Sequence, residues 1–288
     1  MSEICKQLWV DKYRPKKLSD YILNDKMKQK FKDMIKNNAM QSMTFIQCPG
    51  SGKTTLAKIL CNEFNAEVLF VKCATEGSID TLRTKIEPFC NARSIEGRLK
   101  IVVLDEIDSA SSSGDNNFQK GLRTLIEAAQ DDTRFILTAN YDVKEKAILS
   151  RCPLIPLSYD MKDLLKYVKK ILDAEKITYT KESLKTFVQE SFHYHPDCRK
   201  IINYLQFCCN TGELLVTSNT LVDTETDKFM AEIVKQATEG KNILDVRKFY
   251  LQNKTKVSDF VKAASQLFNY VVDNGIIIDS DAILKLSD

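Results

Sequence analysis

The chain has 288 residues, about twice the ~100 to 200 of a typical domain, which predicts two domains with room for a small third. Because 43% of the residues are hydrophobic and 28% are charged, the chain can bury a core, and disordered or fibrous classes are excluded. With only six prolines and nine glycines, a sandwich or barrel of many short strands is not expected.

The first part of the chain alternates apolar strands with helical patterns. Strands are predicted at 43–47, 68–72, 101–105, 134–138 and 154–157. Between the first two, residues 54–64 carry apolar side chains at i, i+3, i+4 and i+8, the spacing of one helix face. This alternation predicts an α/β fold with a parallel sheet that is covered on both faces.

Beyond residue 159 the pattern becomes helical. Amphipathic helices are predicted behind Asp160 and Thr180, both of which can cap a helix, and a third helix is predicted from Asp197 onward. Residues 211–220 indicate a linker or a weak extended segment. Further helices are predicted after it, and the clearest is 257–271.

Cysteine use and charge say little about partners but something about the compartment. Nine cysteines, an odd number, occur without any C-x-x-C pair, and the chain has only two histidines, so a zinc site is not expected. Neither a secretory leader nor an apolar stretch of about 18 residues is visible. We therefore expect a cytoplasmic protein with buried thiols and no membrane span. The net charge of +3 is too balanced to indicate a partner.

The strongest chemical signal lies between a predicted strand and a predicted helix, and it reads Cys48-Pro49-Gly50-Ser51-Gly52-Lys53-Thr54-Thr55. Its glycines let consecutive backbone N–H groups converge on a phosphate, and the helix N-terminus adds its dipole. Lys53 is expected to reach the terminal phosphates, and the Thr54 hydroxyl to ligate Mg²⁺. The strict P-loop pattern has glycine where this chain has Gln47. A glycine turn that merely enters a helix is the alternative.

Two other predicted strands end in polar residues. Asp105 and Glu106 follow an apolar run, and we expect Asp105 to hold Mg²⁺ through water and Glu106 to polarise the attacking water. Alone, two acids after a strand are often a solvated turn, but the phosphate loop strengthens the pair. Asn140 follows the next strand, where it could orient the same water, sense the γ-phosphate or simply cap a turn.

With these motifs the sequence resembles the AAA+ ATPases and, within them, the clamp-loader subunits: the small subunits of replication factor C and the ATPase subunit of bacteriophage clamp loaders. The resemblance spans residues 9–206. It implies an AAA+ P-loop core with a parallel sheet at 1–158, a small α-helical lid at 159–210 and an α-helical collar at 211–288. It also implies ATP and Mg²⁺ as cofactors.

Two segments at the ends of this span carry nucleotide-binding residues in the family. The opening Trp-Val-Asp-Lys-Tyr-Arg-Pro segment lies against the adenine, which implies that Val10, Tyr13 and Arg14 are near the nucleotide. The segment 196–206 resembles the sensor-2 helix, and there Arg199 would touch the γ-phosphate from the lid.

The tripeptide Ser150-Arg151-Cys152 is a mark of the clamp loaders and is much more specific than the phosphate loop alone. In the family its arginine acts as a finger on ATP that the neighbouring subunit binds, which implies a catalytic role in trans for Arg151. A guanidinium stabilises the charge that accumulates on the phosphoryl oxygens. Without the resemblance, a surface salt bridge would be the default interpretation of Arg151.

The resemblance also implies DNA contacts through the phosphate backbone and duplex shape rather than through bases. Ser78 and Ile79 open a predicted helix with Arg83 one turn in, and Ser111 lies in a serine-rich loop where a second contact is expected. A capped helix that faces solvent is the alternative. The helix containing Gln119 and Arg123 matches one that couples neighbouring subunits, but an exposed helix face is equally plausible.

The sequence departs from the family at two points. Lys72 stands where the family usually has an asparagine that restrains the catalytic glutamate, so that switch is altered or in doubt. The sequence also ends earlier than a full-length relative would, so the collar is expected to be short.

The function implied by the resemblance is that of the ATPase subunit of a sliding-clamp loader. Such a subunit would work in a pentameric hetero-oligomer that opens the clamp and loads it on primer–template DNA. A bacteriophage source, and with it the host bacterial cytoplasm, is the expected origin. A non-hydrolysing scaffold subunit and another AAA+ machine, such as a helicase loader or a branch-migration motor, are the alternatives.

Overall fold

A computed structural model of the protein describes residues 7–94, 96–111, 117–129, 132–140, 143 and 146–216. Four strands in this part of the chain form one sheet in the order β1-β4-β3-β2, and every pair is parallel. They are β1 Met43–Ile46, β2 Glu67–Lys72, β3 Lys100–Asp105 and β4 Thr133–Ala139. The predicted parallel α/β core is therefore confirmed.

Helices surround and follow the sheet. In the first part they are α1 Trp9–Lys12, α2 Asp25–Lys36, α3 Lys53–Glu63, α4 Cys73–Glu76, α5 Ile79–Thr81, α6 Glu87–Asn91, α7 Asn117–Ala129 and α8 Lys146–Leu149. A π-helical turn, Leu82–Ile86, joins α5 to α6, and 3-10 turns occupy Leu18–Asp20, Ser109–Ser111 and Phe192–Tyr194. The helices after the sheet are α9 Met161–Ala174, α10 Lys181–Ser191 and α11 Cys198–Cys208.

Strands β1, β3 and β4 are buried almost throughout, which explains why they are apolar, whereas the edge strand β2 is only partly buried. All six residues of β3 are buried. Alternate strand residues point to two separate clusters. One face, with Val102 and Leu104, packs against helices that include α7, and the other, with Ile101 and Val103, packs against α2 and α3.

The predicted fifth strand at 154–157 is wrong for most of its length. Leu154 forms a single parallel bridge with Thr44 of β1, and the segment then leaves the sheet. Proline has no backbone N–H, so Pro153 and Pro156 cannot donate to a longer ladder. The segment still covers the edge of β1, because the Thr44 N–H donates to the Pro153 carbonyl at 3.0 Å.

The predicted helix starts after the sheet are confirmed. Asp160 and Thr180 each accept a hydrogen bond from the backbone N–H three residues on and complete a capping box, and Asp197 caps α11. In the predicted linker or weak extended segment at 211–220, only residues 211–216 are described; there Glu213 forms a single parallel bridge with Thr178, and the Leu214 N–H donates to the Thr178 carbonyl at 2.9 Å. The predicted helix 257–271 and most of the predicted collar lie outside the described residues.

No helix in the described ranges is both long and apolar enough to cross a membrane.

Candidate active site

A cavity of about 590 Å³ lies where the carboxyl ends of β2 and β3 meet the phosphate loop, and its size falls within the range of small-molecule sites. The N-terminal segment and helices α9 and α11 form its other walls. Predicted site residues in the lining are Val10, Arg14, Gly50, Ser51, Gly52, Thr54, Thr55, Asp105, Glu106 and Arg199. A smaller cavity of about 100 Å³ adds Pro49, Lys53 and Asn140. Most of the predicted site residues therefore surround these two neighbouring cavities.

The phosphate loop requires glycine at two positions. Gly50 and Gly52 have φ angles of +81° and +89°, in the left-handed region that other residues rarely adopt. A Cβ atom at Gly52 would lie 2.9 Å from the Tyr21 hydroxyl, and one at Gly50 would collide with the carboxylate of Asp197. The Tyr21 hydroxyl also donates to the Ser51 carbonyl at 3.2 Å. The loop is thus fixed by close contacts from both sides.

Lys53 holds this loop from inside. Its ammonium is buried and donates to the carbonyls of Gln47 and Cys48 at 2.8 and 2.9 Å and to Oδ1 of Asn140 at 2.9 Å. Burial lowers the pKa of Lys53. The missing glycine has an explanation here, because Gln47 takes part through a backbone carbonyl, which every residue type has.

The two acidic residues are held by hydroxyl groups. Thr54 and Thr138 both donate to Oδ1 of Asp105 at 2.7 Å, and the Glu106 N–H donates to the Thr138 hydroxyl at 3.0 Å. Glu106 has a φ angle of +57°, and its side chain is exposed towards the cavity. Thr138 was not predicted as a site residue. The available signal was a hydroxyl residue inside an otherwise apolar strand.

These oxygen atoms suit a hard cation. Mg²⁺ is usually bound by one or two carboxylates together with phosphate oxygens and water, so a large cluster of acidic ligands is not required. Among the described residues, no group of three or more His, Cys, Asp or Glu side chains could hold a metal ion. Thr54 and Asp105, side by side at the phosphate loop, fit a magnesium ion that is carried in with a nucleotide.

The N-terminal segment is attached to the helices that follow the sheet. The Trp9 N–H donates to Oε1 of Gln206 at 2.9 Å, and the Tyr167 hydroxyl donates to the Tyr13 carbonyl at 3.2 Å. The Tyr13 side chain is absent from the cavity lining. Its hydroxyl donates to Glu175 at 2.6 Å, and burial together with this carboxylate raises its pKa. The sequence also gave no sign of Tyr167 as a wall of the cavity.

Arg199 reaches the phosphate loop from α11. Its backbone N–H donates to the Gly50 carbonyl at 3.3 Å, and the exposed residue lines both cavities. The predicted sensor-2 residue therefore lies beside the phosphate loop.

Arg151 lines neither cavity. It forms an ion pair with Glu127 of α7, and its guanidinium also donates to the Ala147 carbonyl at 2.6 Å and to the Ser150 hydroxyl at 3.0 Å. The salt bridge that the sequence left open for Arg151 thus exists. The finger role concerns a neighbouring subunit and remains a prediction.

The four predicted DNA-binding residues lie on two separate segments. Ser78 caps α5 and accepts from the Thr81 N–H at 3.2 Å, Ile79 is the first residue of that helix, and Arg83 is exposed in the π-helical turn. Ser111 ends the 3-10 turn Ser109–Ser111, and residues 112–116 lie outside the described part of the chain.

Two other residues singled out in the sequence are also placed. Gln119 is buried rather than exposed, and its amide donates to the Ile107 carbonyl at 3.4 Å. Arg123 is exposed, 3.8 Å from Glu127. Lys72 ends β2 in register with Asp105 and lines the large cavity, so it shares the sheet edge of the acidic pair.

Comparison with known proteins agrees with the fold and the site described above. Residues 43–156 match the AAA family, described as the ATPase family associated with various cellular activities, so the sheet and its phosphate loop are those of an AAA ATPase. The sequence is also similar to replication factor C small subunits. It is 34% identical to that of Aeropyrum pernix over 75% of this chain and 67% of the relative. It is 30% identical to that of Methanothermobacter thermautotrophicus over 81% and 73% of the two chains.

The chain therefore belongs to the replication factor C small-subunit family of AAA ATPases. A variant of RuvB from Thermotoga maritima matches 96% of this chain and 98% of its own with a TM-score of 0.60 and 16% identity, which shows a shared fold. The predicted AAA+ ATPase is confirmed.

Proposed function

We propose that this chain is the ATPase subunit of a clamp loader, which uses ATP binding and hydrolysis to open a sliding clamp and load it on primer–template DNA during replication. The observation that carries the proposal is that two neighbouring cavities bring together Lys53, Thr54, Asp105 and Glu106 in a chain of the replication factor C small-subunit family. This complete set argues against a non-hydrolysing scaffold.

ATP binds in the large cavity in this proposal, with its phosphates on the loop. Lys53 binds the terminal phosphates, Glu106 polarises the attacking water and Asn140 orients that water or senses the γ-phosphate. Thr54 and Asp105 would hold Mg²⁺, which neutralises phosphate charge when bound. The adenine lies against Val10 and its neighbours in the N-terminal segment. Tyr13 acts on this segment through Glu175 rather than on the base.

Two arginines complete the proposed reaction. Arg199 contacts the γ-phosphate from α11, which its place beside Gly50 supports. Arg151 acts on ATP in the neighbouring subunit, which its absence from both cavities supports. An arginine supplied in trans typically raises the rate by about 10³ to 10⁵, and it makes hydrolysis depend on assembly.

DNA is bound through its phosphates by Ser78, Ile79, Arg83 and Ser111 in this proposal. The exposure of Ser78 and Arg83 supports it. The division into core, lid and collar at 1–158, 159–210 and 211–288, the pentameric assembly, the bacteriophage source and the host cytoplasm remain predictions. The relatives named above are archaeal.

The enzymatic part is tested by the turnover of ATP with partner subunits, clamp and primed DNA present. Glu106→Gln keeps the shape of the side chain but removes the charge that polarises water, so turnover should fall by about a hundredfold or more while ATP still binds. Glu96→Gln is the matched control, because Glu96 is an exposed glutamate that lines neither cavity. Unchanged turnover in Glu106→Gln would contradict the proposal.

Clamp loading is tested separately from hydrolysis. The clamp and primed DNA should stimulate turnover, and a clamp that affects neither rate nor binding would favour a different AAA+ machine, such as a helicase loader or a branch-migration motor. The mass of the complex formed with a non-hydrolysable ATP analogue tests the assembly, and a pentamer that contains one different subunit is expected.

A further inference from the structure

Thr138 is a fully buried hydroxyl residue near the end of β4, between Leu137 and Ala139. Its hydroxyl donates to Oδ1 of Asp105 at 2.7 Å and accepts from the N–H of Glu106 at 3.0 Å. The single hydroxyl therefore donates its proton to the Asp105 carboxylate and accepts, through a lone pair, from the backbone N–H of Glu106. Valine, which has the same shape, can do neither.

The backbone of Thr138 makes a further bond to the same turn. Its carbonyl accepts from the Ile107 N–H at 2.9 Å, so β4 holds two consecutive N–H groups after β3. The turn needs this support, because Glu106 adopts a φ angle of +57°, which is uncommon for residues other than glycine. The direction in which the Glu106 side chain leaves the backbone is thus set from β4.

Asp105 depends on the same hydroxyl for a second reason. Its Oδ1 atom accepts from both Thr54 and Thr138. Thr54 is the hydroxyl that the phosphate-loop pattern assigns to Mg²⁺. Thr138 is therefore the hydroxyl that can stay on Asp105 when Thr54 turns to a cation.

We propose that Thr138 is a positioning residue for ATP hydrolysis, which orients the Asp105 carboxylate and fixes the backbone of Glu106. The proposal rests on the roles given to Asp105 and Glu106 above. Of the two cavities, Thr138 lines only the smaller one, and its hydroxyl is engaged by Asp105 and by the N–H of Glu106, so we expect it to act through these residues rather than on ATP.

The test compares two variants of the full chain, assembled with its partner subunits. Thr138→Val keeps the volume and strand propensity but loses the hydroxyl, whereas Thr138→Ser keeps the hydroxyl and loses the methyl group. Thr133→Val is the matched control, because Thr133 is equally buried in β4 but pairs in register with Lys100, at the other end of β3.

In Thr138→Val, kcat should fall about tenfold to a hundredfold, with little change in KM, because an orienting contact of the reacting state is lost. When nucleotide affinity is measured at increasing Mg²⁺ concentrations, the concentration that gives half of the Mg²⁺-dependent gain should be higher in Thr138→Val. The nucleotide affinity without Mg²⁺ should stay the same. Thr138→Ser should keep kcat within about threefold of the parent, and Thr133→Val should leave kcat unchanged.

Amide hydrogen exchange gives a readout that does not require turnover. In Thr138→Val, the Glu106 N–H should exchange faster because its acceptor is gone. The Ile107 N–H should keep its rate, because it is bonded to the backbone carbonyl of residue 138.

Wild-type kcat in Thr138→Val would overturn the proposal. Equal losses of kcat in Thr138→Val, Thr138→Ser and Thr133→Val, in parallel with lowered melting temperatures, would overturn it as well. If Thr138→Val does not fold, the serine variant decides, since a large loss of kcat in Thr138→Ser would also overturn it. Failure of the clamp to stimulate the parent protein would refute clamp loading alone. The exchange and Mg²⁺ measurements would still test Thr138.

Discussion

Single residues define the shape of the phosphate loop. The donors of Lys53 are engaged by two loop carbonyls and by Asn140, and glycines allow the backbone to turn where Tyr21 and Asp197 approach. A loop that is held in one shape by such contacts loses less conformational freedom when it binds a ligand. The loop could be predicted from its sequence pattern, but Tyr21 and Asp197 could not, because they come from distant parts of the chain.

Gly52→Ala tests this close approach. Both the positive φ angle and the contact with the Tyr21 hydroxyl oppose a methyl group, so we expect ATP affinity to fall at least tenfold and stability to fall by more than ~1 kcal/mol. Gly212→Ala is the control, since its φ angle of +85° is similar but nothing lies within 4 Å of the added atom. Thermal melting and titration with a fluorescent nucleotide measure the two effects. Equal results for both variants would show that backbone strain alone matters.

At the scale of elements, four of the five predicted strands agree with the structure to within one residue at each end. An apolar run followed by a polar residue located Asp105 and Asn140, because buried parallel strands end at one edge of the sheet. The run at 154–157 failed because periodicity does not register the missing N–H groups of proline. Thr138 was overlooked because its signal, a hydroxyl residue in an apolar strand, is shared by Thr44 and Thr133, which are also buried in strands but lie away from the acidic pair.

Lys100 joins β3 to the end of α6. Its buried ammonium donates to the carbonyls of Cys90 and Ala92, and no intrahelical donor serves the last carbonyls of a helix. Lys100→Met should lower the free energy of unfolding by about 1 to 3 kcal/mol, because buried carbonyls lose their donor. Lys32→Met, on the exposed side of α2, should change it by less than ~0.5 kcal/mol. Urea denaturation of both variants decides, and equal stabilities would contradict the role of Lys100.

Glu127 of helix α7 forms an ion pair with Arg151, the proposed arginine finger, within the same chain. Glu127→Gln removes the carboxylate that pairs with Arg151, a contact that is partly exposed and therefore weak. Breaking a pair of about 0.2 to 1 kcal/mol should make Arg151 more available and raise turnover of the assembled complex by up to about fivefold.

The measurement for Glu127→Gln is ATP turnover as a function of subunit concentration, with half-maximal turnover expected at a lower concentration than in the parent. Glu87→Gln, an exposed change on α6, is the control. Lower turnover in Glu127→Gln would mean that Glu127 supports the productive orientation of Arg151 instead.

At the scale of the whole molecule, the nucleotide cavity is built from segments at both ends of the described chain. The resemblance predicted this arrangement, because its first and last motifs, at 9–15 and 196–206, were both expected to lie near the nucleotide. The contacts that join them, such as Tyr13 with Glu175, could not be predicted, since no local pattern links residues 162 positions apart.

Glu175→Gln tests how this attachment affects the cavity. Glu175 accepts from the Lys12 ammonium and from the Tyr13 hydroxyl, both at 2.6 Å, so its loss should loosen the N-terminal segment against α9. We expect KM for ATP to rise about threefold to tenfold with kcat unchanged, because ground-state binding alone is weakened. In the double variant Tyr13→Phe with Glu175→Gln, KM should rise by less than the two single effects combined. Full additivity of the two effects on KM would contradict a shared role.

The bond between Trp9 and Gln206 also sets a time order. These residues are 197 positions apart, and a ribosome adds about 5 to 20 residues per second, so the partner of Trp9 is made on the order of ten to forty seconds later. During that interval the nascent chain already carries its phosphate loop but lacks the wall that contains Arg199 and Ile202. A nascent chain therefore has the complete lining of its ATP site only when synthesis has passed α11.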